Sequence, residues 1–324
     1  MRWVKRIAIL LAAIALAGFI YQQWGEARDA KRFPAPGTLV SVGDHRLHLW
    51  CIGKGAPTVL MLSGAGTPSV TMYDAQTRIG AFTRVCSYDR AGLGWSDPPT
   101  RPISLPDMVD NLDALLLNGN IDRPFVLVPE SFGGMVALAY AKRNPAKIAG
   151  AVFVDASEPD LWFRASPKSH DAMKRNDMLW QVGWRLGIIR AALPFASPDW
   201  VARLSPKLKG EFEAVWSRPM AGFANDAIDA FQQTEVSHRP QATPGLLGNN
   251  PIIVLRHGKP GSMGMDKDFE KGWPAAQAKL AKLSSDSRLI VARENGHPIA
   301  EENPQLVADA VREIVEKVRG RRTP

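Results

Sequence analysis

A serine follows an apolar run in the segment VLVPESFGGM, residues 126–135. The run predicts a strand buried on both faces, and the residues after Ser131 predict a helix. Gly133 and Gly134 would let the intervening turn pack closely on its neighbours, as a nucleophile on a strained strand-to-helix turn requires. A turn that only caps the helix is the simpler alternative, and other parts of the chain must decide between them.

A serine hydroxyl needs a base to take its proton and a carboxylate to orient that base. His297, in RENGHPIAEENP, follows the last predicted strand and precedes the last helix, so we expect it at the same sheet edge as Ser131. Backbone amides would stabilise a developing oxyanion, and we expect them from Phe132 and from Ala65 in the loop SGAG. These residues predict nucleophilic catalysis by a serine.

Alternating strand and helix patterns would position these residues. Gly43-Asp44 predicts a hairpin turn, and Ser104 with Asp107 predicts a capping box that begins a helix. Strands that alternate with helices predict a mostly parallel sheet covered on both faces. The alternation breaks off over residues 157–248, which predicts an inserted helical cap whose tryptophans form an apolar roof over the site.

Residues 1–25 predict a membrane anchor. The uncharged stretch 7–25 would span roughly 28 Å as a helix, close to the hydrocarbon thickness of about 30 Å. Three basic residues precede it, so the remainder of the chain would be exported. Cleavage of a secretory signal is the alternative, because residues 7–20 also fit one. Residues 26–37, charged and then proline-rich, predict a linker.

Composition limits the other classes of protein. The formal charge is +8, but the charges are scattered and no nucleic-acid motif is present, so we expect no nucleic-acid partner. Two cysteines cannot form a metal site alone, and His45 and His48 would point to opposite faces of a strand. We therefore expect no metal and no other cofactor.

Residues 38–318 resemble the α/β-hydrolase fold. The matching segments are SGAG, YDRAGLGWSD at 88–97, PESFGG, VDASEPD at 154–160, and NGHPI before a final amphipathic helix. The resemblance implies an eight-stranded, mostly parallel sheet with helices on both faces. It implies a core formed by residues 38–156 and 249–324 that carries the cap of residues 157–248.

The resemblance leaves the orienting carboxylate open. Most members carry an Asp soon after strand seven, where this chain has RHGKPGSMG and no carboxylate before Asp266. Similarity to haloalkane dehalogenases implies Asp155, at the end of strand six, with Asp266 or Asp268 as alternatives. Strands two and four are neighbours in this fold, which implies a disulfide between Cys51 and Cys86, two free thiols being the alternative.

Three residues depart from the family pattern. Ser63 stands where the oxyanion loop usually has His, and Glu130 stands where His or Gln usually precedes the nucleophile. Pro129 replaces a glycine and removes an N–H from a strand that we expect at the centre of the sheet.

The sequence therefore predicts a serine hydrolase that cleaves a carboxylic ester of an apolar small molecule through Ser131, His297 and Asp155. Acyl transfer or C–C bond hydrolysis by the same residues is one alternative, and a non-catalytic binding protein of the same fold is another. The anchor with this domain resembles a bacterial membrane-anchored subgroup, which implies a periplasmic domain on the inner membrane. Secretion after signal cleavage is the alternative.

Overall fold

The apolar runs of the sequence form the strands of one sheet. The structure is a computed structural model that describes residues 2–121, 124–163, 167–221, 226–227, 234–263, 265 and 267–322. Within these residues the strands are β1 Thr38–Ser41, β2 Arg46–Ile52, β3 Val59–Leu62, β4 Val85–Tyr88, β5 Phe125–Pro129, β6 Ile148–Val154, β7 Ile252–His257 and β8 Ser287–Ala292. Their spatial order is β1-β2-β4-β3-β5-β6-β7-β8.

The sheet is parallel except at one edge. Strand β2 is antiparallel to β1 and to β4, whereas every other pairing is parallel. The Val42 amide donates to the His45 carbonyl at 3.0 Å and closes the predicted hairpin turn. Strands β3 and β5 are buried along their whole length, as expected for a sheet covered on both faces. The eight-stranded, mostly parallel sheet confirms the predicted fold class.

Helices cover both faces of the sheet. The described helices are α1 Arg2–Arg32, α2 Tyr73–Gly80, α3 Leu105–Asn118, α4 Gly133–Arg143, α5 Pro159–Phe163, α6 Pro167–Arg185, α7 Ile188–Ala196, α8 Pro206–Trp216, α9 Lys267–Leu280, α10 Ile299–Glu302 and α11 Pro304–Arg322. Single 3₁₀ turns cover Ser69–Met72, Pro145–Lys147, Asp199–Arg203, Val236–His238 and Ala281–Leu283.

Alternate residues of each strand enter two separate cores. Leu60 belongs to the core that includes residues of α3, α4 and α9, whereas Met61 belongs to the core that includes residues of α2 and α11. The capping box of α3 is present, since the Ser104 amide donates to Asp107 Oδ2 at 2.8 Å and the Ser104 hydroxyl accepts from the Asp107 amide. These two packed layers hold the carboxyl ends of the central strands at one edge.

The insertion between β6 and β7 contains helices α5 to α8. Its described part has a small core of its own, which includes Trp184, Leu193 and Phe212 and joins the main domain at Tyr73. A helical pattern over residues 223–233 lies outside the described residues apart from 226 and 227.

The N-terminal helix is longer than the sequence predicted. Helix α1 continues to Arg32, so the linker prediction was wrong for residues 26–32. Glu, Ala, Arg and Lys in this stretch favour a helix, and Pro34 stops it. The helix includes a stretch with a mean hydropathy of 2.0 and no buried residue, which is long and apolar enough to cross a membrane.

Cys51 and Cys86 lie directly opposite each other in the antiparallel pairing of β2 with β4. Their Sγ atoms are 2.13 Å apart and form a disulfide that closes a 35-residue separation. The bond ties the antiparallel edge of the sheet to β4, the strand that leads to the segment YDRAGLGWSD.

The disulfide should stabilise the fold. Replacing both cysteines by serine should lower the free energy of unfolding by about 2–4 kcal/mol, because the unfolded chain regains the entropy that the cross-link removes. Urea titrations of wild type, with and without reductant, and of the double variant give this difference. Two titratable thiols in the unreduced, unfolded wild type would contradict the bond.

Candidate active site

Ser131 lies in the turn between β5 and α4. Its φ of +47° is a left-handed conformation that strains any residue with a side chain, as expected for a nucleophile on such a turn. A Cβ at Gly133 would collide with the Leu62 carbonyl oxygen, and one at Gly134 would lie 2.8 Å from the Cβ of Ala156. Close packing around the turn therefore requires both glycines.

Pro129 is tolerated because it is the last residue of β5. The amides of Val126 and Glu130 both donate toward β3, to the carbonyls of Thr58 and Leu62 at 2.9 Å. The intervening amide position of Pro129 therefore faces β6, where regular pairing has already ended. The missing N–H therefore falls between the regular pairing, which ends at Leu127, and the isolated bridge of Glu130 with Val154, and it removes only one hydrogen bond.

Ser131, His297 and Asp155 meet at the carboxyl ends of the strands. The distance from Ser131 Oγ to His297 Nε2 is 2.9 Å, and that from His297 Nδ1 to Asp155 Oδ2 is 2.6 Å. An ionised carboxylate only accepts, so His297 Nδ1 carries the ring proton and Nε2 is free to accept from the serine hydroxyl. The three side chains lie where the expected nucleophile, base and orienting carboxylate would have to lie.

Asp155 is fully buried and accepts from four N–H groups. Its Oδ1 accepts from Trp273 Nε1 at 2.8 Å and from the His257 amide at 2.9 Å, and Oδ2 is 2.6 Å from His257 Nδ1 as well as from His297. Burial opposes ionisation, but the hydrogen bonds from His257 and His297 outweigh it and lower the pKa of Asp155 to about 2. The carboxylate is therefore ionised across the physiological range.

The alternative carboxylates do not take this place in the described structure. The Asp268 side chain is 90% exposed and pairs with Lys271 at 3.0 Å, away from His297. Asp266 lies outside the described residues. His257, beyond its contact with Asp155, has Nε2 at 3.8 Å from Glu270 Oε1, which extends the line of polar groups to the surface.

Asp155, His257 and His297 also place three ligand atoms within 4.8 Å of one another, a donor set that suits Zn²⁺ in general. Here both ring Nδ1 atoms face the same carboxylate oxygen and must carry protons to donate to it. A metal ligand would need those nitrogens deprotonated. The geometry therefore fits a hydrogen-bonded triad better than a metal centre.

Arg90 holds the loop that passes over Ser131. Its guanidinium donates to the carbonyls of Ser63 at 2.7 Å and Gly64 at 2.5 Å, and it forms a buried pair with Asp226. Asp226 in turn accepts from the Gly66 amide at 2.9 Å. With its carbonyls held by Arg90, the loop is fixed in one orientation.

The two expected oxyanion donors lie beside the serine. A Cβ at Gly64 would be 3.2 Å from Ser131 Cβ, so the loop that carries Ala65 is in contact with Ser131. Phe132 is the residue before helix α4, and its side chain is fully buried. Among the described residues, neither the Ala65 amide nor the Phe132 amide donates to a protein acceptor. Both remain available to a ligand.

Glu130 and Glu301 form a buried pair of carboxyl groups behind the turn. Burial raises the pKa of Glu130 well above its usual range, and the neighbouring Glu301 raises it further. Burial also raises the pKa of Glu301. The Ala300 amide donates to Glu130 Oε1 at 3.4 Å. Two buried carboxylates in contact repel each other, so Glu130 keeps a proton and shares it with Glu301.

Sequence reasoning missed the contacts that join distant segments. Trp273 reaches Asp155 across 118 residues, and Asp226 reaches Arg90 across 136. No local pattern marks either residue. The Ser63 hydroxyl donates to the Thr67 carbonyl at 2.7 Å and so stabilises its own loop. The sequence showed only that the usual His is absent there, and it did not indicate this replacement contact.

A family model described as the alpha/beta hydrolase family matches residues 59–310. The chain belongs to the alpha/beta hydrolase family. An uncharacterised protein of Schizosaccharomyces pombe is 26% identical over 317 residues, which cover 87% of this chain and 56% of that protein. The chain spans about half the length of the first curated relatives that it matches.

Solved structures share the fold. A thermophilic esterase from Thermogutta terrifontis superposes with a TM-score of 0.62 at 21% identity, over 86% of this chain and 97% of the esterase. A loop variant of a haloalkane dehalogenase from Bradyrhizobium elkanii gives 0.60 at 20% identity, over 87% and 97%. At these identities the similarity establishes the architecture.

The Glu130–Glu301 pair predicts a pH-dependent stability. Above pH 4.5 an unfolded Glu130 loses its proton while the folded one keeps it, so the stabilisation is complete below pH 4.5 and is lost as pH rises through the folded pKa. Glu130→Gln does not titrate, and the stability of the variant should fall less steeply with pH, by up to about 1.4 kcal/mol per pH unit.

Urea unfolding between about pH 5 and pH 8 measures this difference in slope. Glu294→Gln is the control, because Glu294 is an exposed glutamate that lies close to Glu301 in the chain. Parallel profiles for wild type and Glu130→Gln would show that Glu130 is ionised in the folded protein.

Proposed function

We propose that the protein is a membrane-anchored serine hydrolase of carboxylic esters. The observation that carries the proposal is the 2.9 Å contact between Ser131 Oγ and His297 Nε2, with His297 held by an ionised Asp155. A serine in any ordinary turn would have neither the base nor the buried carboxylate.

The proposed reaction has two steps. His297 Nε2 takes the proton of Ser131 as Oγ attacks the ester carbonyl carbon, and the amides of Phe132 and Ala65 stabilise the oxyanion. His297 returns the proton to the departing alcohol, which leaves an acyl group on Ser131. Water then attacks with His297 as the base, and the carboxylic acid is released with Ser131 reprotonated. Asp155 stabilises the imidazolium in both steps.

Two observations support an apolar ester as the substrate. The structural similarity includes an enzyme named as an esterase, which makes ester hydrolysis the first reaction to test. Trp162 packs against Phe132 with ring centroids 6.2 Å apart, so the cap brings an apolar surface to the residue next to the nucleophile. An apolar acyl or alcohol group would find contacts there.

The N-terminal helix supports an anchor rather than a removed signal. Its apolar stretch could serve either purpose. Gln22 and Asp29 on the same helix are buried against the cap, and Gln22 donates to the Ser217 carbonyl at 2.8 Å. A helix that is part of the folded domain is retained, and the three basic residues before it would keep the N-terminus inside. The catalytic domain would then lie on the exported side.

Kinetics with p-nitrophenyl esters of increasing chain length test the enzyme. Ser131→Ala should lower kcat by about 10³-fold or more, and Asp155→Asn by about 10³–10⁴-fold because His297 loses its tautomer. Asp268→Asn is the matched control and should stay within about twofold of wild type, since its side chain is 90% exposed.

Four outcomes would count against the proposal. Equal activity of wild type and Ser131→Ala would show that Ser131 is not the nucleophile. No activity of wild type on any ester would favour a non-catalytic binding protein of the same fold. A loss of activity in Asp268→Asn, with no loss of activity in Asp155→Asn, would show that Asp268 and not Asp155 orients His297. Formation of a transferred ester instead of free acid would indicate an acyltransferase.

A further inference from the structure

Helix α7 has its apolar side outward. Its buried residues are Arg190 and Leu193, whereas Ile188, Ala191, Ala192 and Phe195, spaced as one helical face, are exposed. Phe195 is 91% exposed. A helix on a water-facing surface has the opposite arrangement, so this face is suited to an apolar surrounding.

The preceding helix also exposes large apolar side chains. The exposed apolar side chains of α6, all near the end that leads to α7, are Met178, Leu179, Trp180 and Val182. We call the exposed apolar residues of α6 and α7 the cap apolar face. Several large apolar side chains on two consecutive helices exceed the scattered singles of an ordinary surface.

The cap apolar face adjoins helix α1 at a defined depth. A Cβ at Gly18 would collide with the Leu186 carbonyl oxygen, and a Cβ at Gly187 would lie 2.8 Å from Tyr21 Cδ1. The corner between α6 and α7 therefore touches α1 within and just after its apolar stretch of residues 7–20. If that stretch lies in a bilayer, the corner lies at its surface.

A buried polar contact fixes the two parts together. Arg190 forms an ion pair with Asp29 and donates to Gln22 Oε1 at 3.1 Å, and a Cβ at Gly25 would collide with the Arg190 guanidinium. Both charges of the pair are almost completely buried, so the contact resists separation. The cap cannot swing freely away from the plane in which α1 is inserted.

We propose that the cap apolar face lies in the interface of the bilayer that α1 spans, and that the site takes an ester dissolved in that bilayer. The proposal rests on the proposed function and names its substrate class. A segment that lies in a membrane interface typically combines exposed apolar side chains with basic residues. The cap apolar face has both, since the exposed basic residues Arg28 and Arg185 lie nearby.

Helix α6 also lines a cavity. Gln181 and Arg185 form part of the wall of a cavity of about 570 Å³, and the Arg90–Asp226 pair forms another part. Leu179 and Val182, on the same helix, belong to the cap apolar face. The same helix therefore carries part of the proposed lipid contact and part of the cavity wall, and Arg90, which holds the loop beside Ser131, also lines this cavity.

Spin labels report the position of the face. The native cysteines are disulfide-bonded, so Ile188→Cys or Phe195→Cys supplies a single reactive thiol in the full chain. In proteoliposomes of phosphatidylcholine and phosphatidylglycerol, labels at 188 and 195 should collide with oxygen more than with an aqueous nickel complex, by about threefold or more relative to Leu117→Cys. Leu117 is the matched control, an exposed leucine on α3.

Hydrolysis tests the substrate class. The double variant Ile188→Glu, Phe195→Glu should cleave a water-soluble short ester within about twofold of wild type, and a long-chain ester embedded in the vesicles about tenfold more slowly. Leu117→Glu should leave both rates unchanged. The soluble ester also reports that the variants are folded.

The outcomes separate this proposal from the proposed function. If the labels at 188 and 195 collide with oxygen and with the nickel complex in the same ratio as the label at 117, the cap apolar face does not contact the bilayer. Equal rates of wild type and double variant on the embedded ester would overturn the substrate class. Wild type that cleaves neither ester would overturn the proposed hydrolase itself, while the label positions would still decide whether the face lies in the bilayer.

Discussion

The hydrogen bonds that keep Asp155 ionised in a buried site are the interaction on which the candidate site depends. An isolated carboxylate in that environment would take up a proton and could no longer accept from His297. Trp273 and His257 prevent this by occupying the other acceptor positions. Asp155 orients His297, and the proposed reactivity of Ser131 would follow from His297, so the whole proposed chemistry rests on that carboxylate.

The sheet brings these groups together because its central strands end at one edge. Strand β5 delivers Ser131, β6 delivers Asp155, and the loop after β8 delivers His297. Ser131 and Asp155 both adopt a left-handed φ, at +47° and +43°. Such strain persists only where the surrounding packing imposes it, as the glycines after Ser131 and the two cores of the sheet do here.

Local signals predicted much of this arrangement. A strand followed by a serine and two glycines is a local pattern, and it is enough to predict Ser131 as the nucleophile. The position of His297 between the last strand and the last helix is a local signal as well. Asp155 needed the resemblance to a family, because nothing beside it in sequence marks its partner. Trp273, Asp226 and Glu301 were missed, since each acquires its role only through a contact with a distant segment. The end of α1 was missed although its own residues favour a helix, because their charge was read as that of a linker; the buried contact of Asp29 with Arg190 also holds this end in place.

The most direct test of the account is to find the atom that reacts. Wild-type protein treated with a fluorophosphonate, digested and analysed by mass spectrometry should carry one adduct, on the peptide that contains Ser131. His297→Ala should carry almost none, because the serine then lacks its base. An adduct on another residue, or equal labelling of wild type and His297→Ala at Ser131, would contradict the proposed nucleophile and its activation.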